Sequence, residues 1–164
     1  MRYRQHFKLT RRYLAQVGDI KKKVEMVTAR IALYEESGKD SSELHHELDK
    51  ARQALWQKKL EVADMISCIP DHRFQWVLMK RYVDLLDWRH IAYLGRCSYQ
   101  KAISDHGLAL PEMQDVLVEA GIIAAEDAED IQKILDEEDC NDIGTMEDYL
   151  KYREEKKRRG VQAS

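Results

Sequence analysis

A run of evenly spaced apolar residues near the start of the chain constrains the fold more than any other feature. From Tyr13 to Tyr34, four and three positions alternately separate neighbouring members of the run. This heptad spacing places them on one stripe of a long α-helix, as in a coiled coil. The members are Tyr13, Val17, Ile20, Val24, Val27, Ile31 and Tyr34.

A second helix with a similar stripe follows a short break. The sequence "ESGKDSS" contains Gly38, which suits the residue after a helix end, and Ser41 and Ser42, which suit a helix N-cap. The second stripe comprises Leu44, Leu48, Ala51, Leu55, Val62 and Met65, with Lys58 interrupting it. Two helices of about 25 residues with a short loop predict an antiparallel coiled-coil hairpin, and we expect homodimers or higher homo-oligomers to form through it. Trp56 lies off this stripe and is interpreted as a point where the hairpin meets another surface.

Shorter helices are predicted for the rest of the chain. After Pro70, a third helix is expected over about 71–85, and a fourth follows with Asp87 as its N-cap and Leu94 among its inward-facing residues. A fifth helix is expected from Ser98 to about Leu110, with Pro111 either ending it or beginning the next, and further short helices beyond. The prediction is an all-α fold with three parts: a hairpin at 1–69, a helix-turn-helix at 70–111, and an acidic helical extension with a basic end at 112–164.

Composition supports this fold and excludes several classes of protein. Only 7 Gly and 2 Pro occur among 164 residues, of which 35% are charged, so long helices are favoured over sheets. No apolar run is long enough for a membrane span, and the first residues contain no apolar signal core, so we expect a cytoplasmic protein without membrane contact. The three cysteines, at 68, 97 and 140, are expected to be free thiols.

The motifs of common enzymes and metal sites are missing from the sequence. There is no P-loop, GxSxG, HExxH or paired-acid pattern, so we predict neither an enzyme nor a bound cofactor. The acidic stretch that begins at Asp136 has no glycine at the sixth position of an EF-hand loop, so no metal site is predicted there.

Charge is distributed unevenly along the chain, although the net charge is only −3. Residues 1–30 contain nine Lys or Arg against two acidic residues, whereas residues 119–148 contain twelve Asp or Glu against Lys133 alone. A basic N-terminal segment suits contact with a polyanion such as DNA.

The sequence "DWRHIAYLGRCSYQKAISDHGLAL", from Asp87 to Leu110, has the pattern of a helix-turn-helix. Ala92 is a small residue where two helices would cross, Gly95 suits the turn, and Ser98 suits the N-cap of the second helix. In a DNA-binding protein this second helix enters the major groove. A helical corner in a protein without DNA-binding activity shows the same pattern.

The order of residues around this motif resembles a known group of proteins. It is similar to phage and prophage late-gene transcription regulators of the RinA and ArpU type, whose helix-turn-helix is like region four of sigma factors. About 40 residues carry the likeness closely, and the acidic tail lies outside it. The matching residues are Arg73, Val77, Leu78, Arg81, Tyr82, Trp88, Ile91, Ala92, Ser98, His106, Gly107, Ala109 and Leu110.

Two residues of the second helix depart from that group. Asp105 stands where an apolar residue is expected, and Ile103 stands on a face expected to be polar. Because a buried unpaired carboxylate costs several kcal/mol, we expect Asp105 to be either paired or exposed.

The resemblance implies a DNA-binding transcription regulator in a bacterial host cell, with promoter DNA as partner and RNA polymerase as a further candidate. Gln100 suits an adenine edge, and Lys101 suits a guanine edge or a phosphate. The full set of expected DNA-contacting residues is Lys80, Arg81, Arg89, Arg96, Ser98, Tyr99, Gln100, Lys101 and Ser104.

Two other functions fit the same sequence. A helical adaptor that binds RNA polymerase or another protein would keep the fold without reading DNA, and Ile103, Asp105 and the acidic segment favour it. A small terminase subunit also combines a helix-turn-helix with helical oligomerisation, but usually in the reverse order along the chain. A ring of eight or more subunits would favour this last function.

Overall fold

The computed structural model describes residues 6–130 and, beyond them, only positions 133, 154, 157 and 158. Regular structure within 6–130 is helical throughout, so the predicted all-α class is confirmed. Its helices are α1 (Lys8–Leu14), α2 (Gln16–Glu36), α3 (Ser42–Ile66), α4 (His72–Leu78), α5 (Trp88–Gly95) and α6 (Tyr99–Glu119), with a π-helical turn at Met79–Val83 and a 3-10 helix at Ala125–Asp127. None of these described helices is long and apolar enough to cross a membrane. The acidic stretch from Asp136 and the helices expected after it lie outside the described residues.

Helices α2 and α3 pack against each other along the two apolar stripes. Near the loop that joins them, Val27 and Ile31 of α2 form a buried cluster with Leu44 and Leu48 of α3. The loop begins at Gly38, whose φ of 71° is readily adopted only by a residue without a side chain. Its amide and that of the next residue donate to carbonyls in the last turn of α2, which ends the helix.

The base of this helix pair shares one hydrophobic core with the second half of the chain. Leu14 and Val17 from the first two helices and Val62 and Ile66 from α3 are fully buried. They belong to the same buried cluster as residues from α4, α5 and α6. The predicted segments 1–69 and 70–111 are therefore packed together rather than separated by a linker.

Helix α6 continues through Pro111 to Glu119, so the predicted end near Leu110 was wrong. Pro111 has no N–H to donate to the carbonyl of Gly107, which normally disfavours the middle of a helix. The helical turns on both sides of Pro111 are stabilised by the burial of apolar side chains, since Leu110, Met113 and Leu117 have no exposed surface. At about 1.5–3 kcal/mol for each large apolar side chain, this burial outweighs the lost hydrogen bond and the strain at proline. The boundary expected between 111 and 112 thus falls inside one helix.

The helix expected over 71–85 is shorter and less regular than predicted. The α-helical part ends at Leu78 and continues as the π-helical turn, after which Leu85 adopts a φ of 58°. Asp84 N–H donates to the carbonyl of Met79 and Leu86 N–H to that of Lys80, which closes the chain into a tight corner before α5.

A polar cluster in the core joins this corner to α5 and α6. The hydroxyl of Tyr82 and Nε2 of His106 share a hydrogen bond of 2.6 Å, and the edge of Trp88 contacts the His106 ring with centroids 4.9 Å apart. Burial is the main cause that lowers the pKa of His106 from 6.5 to about 3, with the Arg11 and Arg81 cations adding to it. His106 is therefore neutral in the folded protein at physiological pH.

This buried histidine makes the stability of the fold depend on pH. Below pH 6.5 the unfolded chain binds a proton at His106 that the folded protein binds only near pH 3. The free energy of unfolding should therefore fall as the pH drops from 6.5 towards 3, by up to about 1.4 kcal/mol per pH unit from this residue. Urea unfolding at a series of pH values measures the slope. His106→Gln should flatten it, whereas His72→Gln, at an exposed position of α4, should not.

Candidate nucleic-acid interface

Helices α5 and α6 form two capped helices around a short turn. The carboxylate of Asp87 accepts from His90 N–H at 2.8 Å, and the hydroxyl of Ser98 accepts from Lys101 N–H at 3.1 Å. Both predicted N-caps are confirmed by these bonds. Where the helices cross, Ala92 and Ala102 are both buried, so small side chains permit the close approach.

The turn itself depends on Arg96 rather than on Gly95. Arg96 has φ 52° and ψ 43°, a left-handed conformation, and its amide donates to the carbonyl of Tyr93. Cys97 N–H donates to the carbonyl of Ala92, which completes the end of α5. The expectation that Gly95 forms the turn was wrong, because Gly95 is the last residue of α5. A Cβ atom there would lie 3.1 Å from the ring of Trp76, a tight contact, so Gly95 allows Trp76 to pack closely against the end of α5.

The first two turns of α6 have a face open to solvent, and exposed positions recur towards its C-terminal end at Asp115 and Glu119. Tyr99, Gln100 and Lys101 are exposed, while Ile103 and Ser104 are half-buried. The opposite face is buried through Ala102, Asp105 and His106, and every residue from 105 to 111 is enclosed. The predicted contact residues of α6 therefore lie together at its N-terminal end.

Helix α5 adds a second exposed surface beside this end. Arg89 is exposed, and Tyr93, one turn further along α5, is 81% exposed. Sequence reasoning missed Tyr93, although its spacing of four from Arg89 places both on the polar side of α5. Leu94 was expected to face inward but is 45% exposed. Arg96 in the turn and Tyr99 at the start of α6 are exposed as well, so basic and aromatic side chains are exposed on both helices and on the turn between them.

Asp105 is buried and paired, as its chemistry requires. Its carboxylate lies 3.2 Å from Lys101 Nζ and 3.8 Å from Arg73 Nε. The carboxylate is nearly enclosed, whereas about half the surface of each cationic side chain remains in solvent. Lys101 is thereby drawn to the side of α6 that faces α4.

Beside these three charges lies a groove between α4 and the turn, with a volume of about 450 Å³. Trp76 and Val77 line it from α4, and Leu94 and Ala102 line it from the helix-turn-helix.

Two of the expected DNA-contacting residues have other partners. Lys80 Nζ lies 3.0 Å from a carboxylate oxygen of Asp84. Arg81 donates to the carbonyl of Leu86, and its guanidinium lies 4.7 Å from the centre of the Trp88 ring. Both side chains are half-buried, and Arg81 stabilises the corner that precedes α5.

Comparisons with known proteins add no functional assignment. No protein-family model, curated protein or solved structure matches this chain. Across the described residues, no group of three or more His, Cys, Asp or Glu side chains is arranged to hold a metal ion.

Replacing Arg96 with glycine should stabilise the fold. Arg96→Gly relieves the strain of a left-handed non-glycine residue, so the free energy of unfolding should rise by about 1 kcal/mol. Arg89→Gly removes the same charge but places glycine inside α5, so it should lower stability by about 1 kcal/mol. Urea unfolding of both variants gives the comparison. A loss of stability in Arg96→Gly equal to that in Arg89→Gly would show that the turn is not strained.

Replacing Asp105 with leucine should leave the protein folded and at least as stable. The leucine would fill a site among apolar residues, and Lys101 and Arg73 could return to water, so unfolding should become harder by up to about 1 kcal/mol. Asp105→Ala, which removes the pair without filling the space, should be less stable than Asp105→Leu. Thermal and urea unfolding measure both. A loss above about 2 kcal/mol in Asp105→Leu would mean that the ion pairs contribute net stability.

Proposed function

We propose that this chain is a phage or prophage transcription regulator that binds promoter DNA through its helix-turn-helix. The first two turns of α6 enter the major groove, and the rest of α6 anchors them in the core. The observation that carries the proposal is the exposed end of α6, capped by Ser98 and flanked by Arg89 and Arg96. It is supported by the order of residues from Arg73 to Leu110, which resembles phage late-gene regulators.

Contacts to phosphate and to bases fall to different residues in this proposal. Arg89 in the first turn of α5 and Arg96 in the α5–α6 turn are exposed cations, which suits them to the DNA backbone. The exposed hydroxyl of Tyr99 is a further phosphate donor. Gln100 lies at the centre of the open face of α6, and its amide can bond both N6 and N7 of adenine. Lys101 is directed towards Asp105, which assigns it to a phosphate beside the groove rather than to a base.

Self-association is assigned to the α2–α3 pair. On α3, Trp56 is 66% exposed and Leu60, one turn away, is 53% exposed. On α2, Met26 and Leu33 are exposed to a similar degree. Large apolar side chains on a surface mark sites of protein association. A dimer would present two copies of α6 to two half-sites on the DNA.

DNA binding is tested by mobility shift with the full chain and promoter fragments at several salt concentrations. Arg89→Ala should weaken binding to all sequences and reduce the slope of log K against log salt by about 1. Gln100→Ala should reduce discrimination between specific and random DNA by about tenfold while leaving that slope unchanged. Lys39→Ala, in the α2–α3 loop, is the matched charge control and should bind normally. Absence of binding at low salt would reject the proposal.

A protein-interaction adaptor is the second candidate, and the exposed Trp56 and Leu60 favour it. In that case Trp56→Gln with Leu60→Gln should abolish capture of a partner such as RNA polymerase, while Gln100→Ala should have no effect. If the same double variant instead converts a dimer into a monomer by light scattering, the patch serves self-association. An assembly of eight or more subunits would favour a terminase subunit.

A further inference from the structure

We propose that Ile103 determines specificity by contacting the C5-methyl group of a thymine next to the base bound by Gln100. This inference rests on the proposed DNA-binding function and assigns a base to a residue that looks out of place in the sequence. Its basis is the position of Ile103 beside the exposed residues of α6, together with its place outside the main core cluster.

Ile103 lies on the side of α6 that the core leaves open. Ala102, one position before it, and Asp105, two positions after it, are buried on other faces of the helix. Gln100 precedes Ile103 by three positions, and side chains with this spacing are neighbours on a helix surface. Residues 105 to 111 are all buried, so Ile103 is the last large apolar side chain before this buried stretch of α6.

The side chain of Ile103 does not belong to the main hydrophobic core. It is half-buried, and it is absent from the group of partly buried apolar side chains that pack against the main core of the described residues. An apolar side chain at the edge of a polar surface gains stability when a ligand removes it from water. Since isoleucine is branched at Cβ, it also has few rotamers to lose on contact.

Among the DNA bases, thymine carries an apolar group that the Ile103 side chain can contact. In the major groove the base edges present hydrogen-bond donors and acceptors, and thymine also presents an apolar C5-methyl group. An aliphatic side chain is suited to contact this methyl group. The Cβ atoms of residues three apart on a helix are about 5–6 Å from each other. Successive base pairs are about 3.4 Å apart, so Gln100 and Ile103 can reach adjacent base pairs. The pair therefore favours a site in which an adenine and a thymine methyl are neighbours.

Replacing thymine by uracil removes the methyl group and leaves the base pair intact, which isolates this contact. The full-length protein is first used to select binding sites from random duplex DNA. Each thymine of the selected site is then replaced by uracil in turn, and affinity is measured by mobility shift. We expect one thymine whose replacement weakens binding by about three- to tenfold, the effect of one apolar methyl group.

Variants of Ile103 connect that thymine to this residue. Ile103→Ala should bind the thymine and uracil sites equally, Ile103→Val should keep most of the difference, and Ser104→Ala should keep all of it. Circular dichroism checks that each variant is folded. A selected site without a uracil-sensitive thymine, or a difference unchanged in Ile103→Ala, overturns the inference while DNA binding stands. Failure to select any DNA overturns the proposed function and the inference with it.

Discussion

Burial of α6 along most of its length is the constraint on which the rest of this structure depends. Helices α1, α3, α4 and α5 all pack against it, and the residues from 105 to 111 are enclosed. A helix held this firmly continues through Pro111 and provides a fixed direction for its free end. The exposed side chains at its start, such as Tyr99 and Gln100, contribute little to the core and can change without affecting the fold, whereas Ala102 in the same turns is buried.

Asp105 and Ile103, the two residues that depart from the resemblance, illustrate the difference between the buried and the exposed parts of α6. Asp105 lies at the border of the buried portion, where a carboxylate is tolerated only because Lys101 and Arg73 neutralise it. Ile103 lies on the open portion, where nothing in the core demands an apolar side chain. The two departures therefore have different physical explanations. Asp105 is explained by its ion pairs within the packed structure, and Ile103 by its place in the exposed part of the helix.

Features that depend on residues close together in sequence could be predicted, whereas features that depend on packing between distant segments could not. The caps at Asp87 and Ser98 were predictable because each depends on a side chain and an amide three residues away. The continuation of α6 past Pro111 was not, because it depends on apolar surfaces supplied by helices far along the chain. The left-handed turn residue was misassigned because Gly95 carries the stronger local signal, and the close approach of Trp76 to that glycine is visible only in the tertiary structure. The pairing of Asp105 with Lys101 follows helical spacing, but its approach to Arg73 required the tertiary structure.

The single core shared by the α2–α3 pair and the helix-turn-helix has a consequence for modularity. A fragment cut at residue 70 would expose Val62, Ile66 and their partners in α4 and α6 to water, so neither half is a self-sufficient unit of folding. The two halves therefore cannot be exchanged as independent modules, either in evolution or by engineering. The part that can vary is much smaller. The few exposed residues at the start of α6 can change while the buried remainder of the helix, which holds them in place, stays constant.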